Sequence, residues 1–369
     1  MTDYRTHIFN TFRVDLWTYL KSSDKPILIY GMGNGADKII DYFEEFGIEY
    51  RDVFASDGFV RGHLYRGKRV ISYSEACEKY GNEFIIVLSF GTHLDDVMKR
   101  IYELDKKHEL YAPDVPVCKG ELFSEVFFEA HKKELLDARS SLFDEKSKEI
   151  FDDIVRFKLT GKLCYLKSTE ESEFQVNKEV LKCENYNIYA DLGAYNGDTV
   201  RSYLEFCPNL KKIHAFEPDL RNYKKLSAYA ETEERAKVYA YNYASYDKDE
   251  AVEFISSGNR NSSKNGTNSF KSKTVSIEAR RLDSVIDRAD FIKYDVEGAE
   301  YEAIIGSEKI IKRHMPDLLV SMYHRSEDMY TLPLLLKELS PEYKLYLRRF
   351  PYIPAWDLNL YAINKKPLN

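Results

Sequence analysis

Four acidic residues stand where apolar runs break off in the second half of the chain: Asp191 in "YADLGAYNGDT", Glu217 in "HAFEPD", and Asp295 and Glu297 in "KYDVEGAEYEAI". An apolar run that ends in an acid and a glycine reads as a buried parallel strand turning into a helix. In open α/β sheets ligands sit beyond such strand ends. The first loop is spaced D-x-G-x-x-x-G over Asp191, Gly193 and Gly197. That is wider than the fingerprint of a dinucleotide site, whose third glycine lets a helix N-terminus approach a pyrophosphate. An acid beside the loop repels a pyrophosphate and suits a ligand carrying an ammonium and a sulfonium. Glu217 falls where a carboxylate accepts both hydroxyls of a ribose, a need shared by NAD and S-adenosylmethionine. Asn242 and Ala244, in "YNYASYD", are placed to line an adenine, and Asp295 and Glu297 to face the reacting end of the ligand.

Each position also has a plainer reading. Gly193 and Gly197 suit any strand-to-helix turn. Glu217 and Asp219, on either side of Pro218, can cap the helix that opens "LRNYKKL", and Asp295 can cap the helix after it. The recurrence of such residues at four successive strand ends is what favours a nucleotide-type ligand.

These stretches, with "RRLDSVI" and "LLVSMYHRSEDMYTLPLLLKEL", resemble the FkbM family of S-adenosylmethionine-dependent methyltransferases from about residue 140 onward. The resemblance implies a seven-stranded class I methyltransferase fold, Rossmann-like in architecture. It also implies methyl transfer to a hydroxyl of a sugar, glycan or secondary metabolite, with S-adenosylhomocysteine as product. Carried over by position, Asp191, Gly193, Ala194, Tyr195, Asn196 and Gly197 form the loop around the methionine. Glu217, followed by Pro218 and Asp219, holds the ribose, and Asp295 lies near the sulfonium. Related chains often have an aromatic pair shortly before the first strand; "FQVNKEVL" departs from that pattern.

Methyl transfer to a hydroxyl is an in-line displacement that needs positioning and a base for the proton. His324, in "SMYHRSED", is the candidate base at the end of the fifth strand, with Tyr323 and Arg325 shaping the acceptor pocket. Asp295 or Glu297 could serve instead, and a histidine there can also simply cap the strand. Asp295, Glu297 and His324 have the chemistry of divalent-cation ligands, and the sequence leaves open whether they converge. Residues 256–273, rich in Gly, Asn and Ser, read either as a lid over the acceptor or as an inert hairpin tip.

The elements that position these residues alternate strand and helix from "IYADLG" to "DLLVSMYH". The pair "YKLYLRRF" and "LNLYAINK" closes the sheet with an antiparallel strand. The expected divisions are a Rossmann-like domain over 1–120, a helical linking region over 121–185 and the methyltransferase domain over 186–369. The first domain has its own glycine turn, "IYGMGNGAD", with Ala36 where the fingerprint has its third glycine and Asp57 in "FASDGF" where an acid meets a ribose. Alone, it suggests an oxidoreductase or sugar-modifying protein that binds NAD(P) or a nucleotide sugar. A nucleotide fold retained as a scaffold for docking or homo-oligomer formation is the favoured reading, and a wholly non-catalytic protein the remaining one.

The 369 residues suit two domains, and a net charge of −7 gives no basic footprint for nucleic acid. No apolar run is long enough for a signal segment or a membrane span, so a cytoplasmic protein acting on a small or glycan acceptor is expected. Five cysteines, odd in number and without a C-x-x-C pair, are expected to be reduced thiols with neither zinc nor disulfide.

Overall fold

The computed structural model describes residues 14–60, 62–118, 120–256 and 273–364. In the first half, β1 (Ile27–Tyr30), β2 (Asp52–Ala55), β3 (Ile71–Ser72), β4 (Ile85–Leu88) and β5 (Glu109–Tyr111) form a parallel sheet in the order β3-β2-β1-β4-β5. Every residue of β1, β2 and β4 is buried, as expected of strands covered on both faces. Helix Asn34–Phe46 follows β1 and ends at Gly47 in the left-handed conformation, and helix Tyr73–Tyr80 opens with a Ser72/Glu75 capping box. The short β5 carries too little periodicity to be read from sequence.

In the second half, β6 (Ile188–Leu192), β7 (Lys212–Phe216), β8 (Lys237–Tyr241), β9 (Phe291–Tyr294), β10 (Asp317–Ser321), β11 (Lys344–Arg349) and β12 (Leu358–Ile363) form a seven-stranded sheet. Its order is β8-β7-β6-β9-β10-β12-β11, with β12 antiparallel between β10 and β11. One connection differs from the expected alternation. Between β8 and β9 the chain forms a second small sheet from Ala244–Ser245, Glu250–Ser256 and Lys273–Arg280 before the one-turn helix Leu282–Val285. The candidate lid falls mostly on residues 257–272, outside the described residues.

The linking region is helical over Glu125–Ala130, Lys132–Ser141 and Glu145–Thr160. Its apolar side chains, Phe128, Phe151 and Ile154 among them, join one buried cluster that runs from Leu28 and Ile86 in the first sheet to Ile292 and Val320 in the second. The halves therefore share a core. Arg349, fully buried, donates to Leu166 O, Thr169 Oγ1, Phe350 O and Tyr352 O. It ties this region to the turn before β12 through hydrogen bonds that satisfy a buried cation.

The cysteine expectation needs correction. Cys183 and Cys207 form a disulfide, with Cα atoms 5.1 Å apart, while Cys77, Cys118 and Cys164 are free. The turn before β6 and the end of helix Asp198–Phe206 meet in one apolar cluster, a tertiary contact that cysteine spacing does not reveal. Among the described residues no helix is long and apolar enough to cross a membrane.

Candidate active site

The loop after β6 sits at the switch point between β6 and β9. Gly193 N and Ala194 N donate to Phe216 O at 3.0 and 2.9 Å, drawing the loop onto β7. Gly193 has φ of 92°, and a Cβ there would stand 1.8 Å from Asp295 O, so the two loops touch through a position that excludes any side chain. Tyr195 N donates 2.8 Å to Glu217 Oε2, and Asp219 N donates 2.8 Å to Glu217 Oε1. Glu217 is thus fixed between the first two strand-end loops. Burial, working against those two hydrogen bonds, pushes its carboxyl up to about 8, and Asp219 and Glu297 add to the rise.

Across the switch point, Lys293 on β9 stands 3.1 Å from Asp295 Oδ2 and 3.8 Å from Asp191 Oδ1. Burial works against the ionised form of Asp295, but Lys293 and then His324 hold it down to about 2. The Tyr323 hydroxyl donates to Asp295 Oδ1 at 3.3 Å. Glu297 and Gly298 both have positive φ, 53° and 92°, and turn the chain sharply into helix Glu300–Ile305. His324 is buried with Nδ1 3.0 Å from Glu300 Oε1, out of line for a hydrogen bond, and Nε2 3.6 Å from Glu297 Oε2. Burial opposes a charge on this ring, yet Glu300, Glu297 and Asp295 together raise it to about 10.

The first half of the chain reaches this point. Val117 N and Cys118 N donate to His324 O at 3.1 and 3.3 Å, and Cys118 Sγ donates to Glu297 O at 2.8 Å. Lys38, on the helix after β1, holds Pro116 O and Val117 O at 2.8 and 2.6 Å.

These groups surround a cavity of about 270 Å³. Gly193, Tyr195, Glu217, Pro218 and Ala244 line one side, and Asp295, Glu297, Tyr323 and His324 the other, with Val117, Tyr352, Trp356 and Asp357 beside them. The remaining candidates, Asp191, Ala194, Asn196, Gly197, Asp219 and Asn242, are absent from its wall. Asp191 is fully buried and accepts from Thr199 Oγ1. Asp219 caps helix Leu220–Thr232, the plainer reading of that residue. Asn242 Nδ2 braces Glu217 O and Pro218 O at 2.8 and 3.0 Å. Ala194 packs into an apolar cluster, and a Cβ at Gly197 would strike Tyr229. His324 is placed as expected, and Glu300, Glu297 and Asp295 raise the pKa of its ring against burial, which works against its reading as a neutral base.

Sequence reasoning missed Lys293, Asn222, Tyr352 and Trp356. A lysine inside the apolar strand "FIKYD" was a readable signal. Asn222 lines the cavity with Oδ1 unpaired among the described residues, as is Trp356 Nε1. Tyr352 and Trp356 lie in "PYIPAWD", which reads as a mere connection.

The other glycine loop is filled from within. A Cβ at Gly31 would stand 2.4 Å from Phe90 Cδ1, Tyr65 OH donates to Gly33 O at 3.0 Å, and Asp57 accepts from Ser74 N and Oγ at 3.0 Å each.

The strand order and the strand-end cavity define a class I methyltransferase fold. Residues 191–352 match the family model described as the methyltransferase FkbM domain, so the chain carries a domain similar to that family, and the protein is a methyltransferase. The chain is also similar to the crystal structure of methyltransferase FkbM from Methylobacillus flagellatus KT. That match has 19% identity and a TM-score of 0.68, covering 98% of this chain and 94% of that one. Weaker similarity links it to an rRNA methylase from Streptococcus thermophilus, at 12% identity and TM-score 0.32 over 56% of this chain and 98% of that one. Aeropyrum pernix fibrillarin, in complex with natively bound S-adenosyl-L-methionine, matches at 14% identity and TM-score 0.31 over 49% of this chain and 67% of that one. No curated protein matches the sequence.

Proposed function

We propose that the protein transfers the methyl group of S-adenosylmethionine to a hydroxyl oxygen of a sugar, glycan or other hydroxylated metabolite. The observation that carries this reading is Glu217: a buried carboxylate, held by two backbone N–H groups at the end of β7, that faces a cavity continuing to Asp295, Tyr323 and His324. In this reading Glu217 accepts the ribose hydroxyls, Ala244 and Asn222 flank the adenine, and the loop at Gly193 to Tyr195 passes over the methionine. Asp191 and Asp295, with Lys293 between them, set the charge behind the sulfonium.

Asp295 and Glu297 face the side of the cavity that Val117, Tyr352 and Trp356 complete, which suits an acceptor with a flat or ring-shaped body. The displacement forms the oxygen–methyl bond as the sulfonium–methyl bond breaks, and the hydroxyl proton passes to Glu297. His324 serves as a charged anchor for these acids.

The test is methyl transfer from labelled S-adenosylmethionine to a panel of nucleotide sugars, oligosaccharides and small polyols, with products read by mass spectrometry. A methyl ether is the expected product. Methylation confined to amines or thiols would contradict the reading.

A further inference from the structure

Phe90, Gly91 and Thr92 lie just past β4, at the strand end beside the glycine loop of the first sheet. Phe90 fills that crevice: its ring meets Tyr30 edge-on with centroids 5.1 Å apart, and it is the group a Cβ on Gly31 would strike. The next residues face the turn between β11 and β12 instead. Thr92 N donates to Ile353 O at 2.8 Å and Ile353 N to Thr92 O at 2.9 Å, an antiparallel bridge between the two halves. A Cβ on Gly91 would stand 2.6 Å from Trp356 Cζ3 and 3.1 Å from Tyr352 Cε1, so both rings rest on bare backbone.

Tyr352 and Trp356, with ring centroids 5.4 Å apart, form one wall of the cavity. The neck of their turn is closed by its own chain, through Phe350 N donating to Asp357 O at 3.1 Å and Arg349 to Tyr352 O at 2.6 Å. The Trp356 ring is held differently. Its Nε1 has no hydrogen-bond partner among the described residues, so packing sets where the ring lies, and Gly91 is where the first half takes part in that packing.

We propose that Gly91 and Thr92 are positioning residues for an acceptor-selecting wall. The first half clasps the turn over 350–357, so that Tyr352 and Trp356 present a fixed aromatic surface to the body of the acceptor. Such a surface selects for a ring with an apolar face, and rings held in place beforehand remove an ordering cost from binding. One loop thus plugs the crevice of the first sheet and shapes the cavity of the second. The selecting role rests on the methyl-transfer reading; the clasp does not.

Trp17 is the only other tryptophan, so in a Trp17→Phe background the emission of Trp356 reports on the wall. Gly91 lacks a positive φ, and the atoms a Cβ there would meet belong to rings that can tilt, so Gly91→Ala is expected to fold with the wall displaced. Iodide quenching of Trp356 should rise by about twofold or more, while S-adenosylhomocysteine affinity, read by calorimetry, changes by less than about twofold. Methyl transfer is followed with methyl glycosides and inositol as ring acceptors and sorbitol as the open-chain one. Ring-acceptor KM should rise by roughly tenfold in Gly91→Ala with kcat nearly kept, and sorbitol KM should hold. Trp356→Phe should raise the same ring-acceptor KM, and adding Gly91→Ala to it should cost little more, because the ring it strikes is smaller.

Unchanged quenching in Gly91→Ala would overturn the clasp. If Gly91→Ala does not fold, recovery of folding on adding Trp356→Phe supports the clasp, and no recovery overturns it. Unchanged ring-acceptor KM in Trp356→Phe, or equal losses for ring acceptor, sorbitol and S-adenosylhomocysteine, would overturn the selecting role and leave methyl transfer in place. Wild-type protein that binds no S-adenosylhomocysteine, or methylates none of these acceptors, removes the hydroxyl-transfer reading and the selecting role with it; quenching then decides the clasp by itself.

Discussion

Both halves of the chain place a glycine loop after the first strand of five parallel strands that share one order, at the same switch point. At Gly193 the close approach is to backbone, Asp295 O, and the acid of the next strand, Glu217, faces a cavity. At Gly31 the close approach is to a side chain, Phe90, and the corresponding acid, Asp57, is taken up by Ser74. Shared topology supplies the crevice, and the residues that fill or leave it decide whether a ligand has room. The first half still acts on the site: Lys38, on the helix that follows Gly31, holds the segment that packs Val117 and Cys118 against His324.

This contrast can be broken most sharply at the glycines. Gly193→Ala drives a Cβ into Asp295 O at a left-handed position, so S-adenosylhomocysteine affinity should fall by roughly a hundredfold or more. A variant that folds and binds normally would sink the account of this loop. Next in size is Glu217→Ala, which removes the ribose acceptor and should weaken binding on the order of 10- to 100-fold in the same titration.

The pH dependence of that residue sharpens the comparison. The raised pKa of Glu217 means its contribution to unliganded stability is present below its unfolded pKa and is lost as pH rises through about 8. Ribose hydroxyls favour the ionised form, so S-adenosylhomocysteine binding should release a proton and tighten between about pH 6 and 8. Titration in buffers of different ionisation heat reads the proton release. Glu217→Gln should abolish it, and a buffer-independent heat for wild-type protein would contradict the assignment.

On the other side of the comparison, Gly31→Ala should cost about 1–3 kcal/mol of stability in chemical denaturation, through Phe90 and the positive φ, with S-adenosylhomocysteine affinity changed by less than about twofold. The smallest effect is expected of Asp57→Asn: about 0.5 kcal/mol or less, since the group is exposed and Ser74 keeps an acceptor. A large loss of ligand affinity in either variant would show that the first loop is a working site.

How much of this was legible in the sequence follows from the range of the interactions. The seven-stranded order with its inserted last strand follows from apolar runs and a hairpin, and Glu217 and Asp295 follow from strand ends. Asp191 and Asp219 share the same motif character, but their side chains turn inward, to Thr199 and to a helix N-terminus, which spacing does not encode. Tyr352 and Trp356 reach the cavity because Arg349 anchors their turn and because Thr92, from the first half, bonds Ile353 in both directions. Their tertiary origin hides them from any local pattern. His324 is readable by type and position; its protonation depends on Glu300, Glu297 and Asp295 converging on it.

The most direct test of the central claim is a parallel calorimetric titration of the purified protein with S-adenosylhomocysteine and with NAD. The account predicts that S-adenosylhomocysteine binds one per chain, lost in Gly193→Ala and kept in Gly31→Ala, and that NAD does not bind. Binding of NAD without S-adenosylhomocysteine, lost in Gly31→Ala, would contradict it.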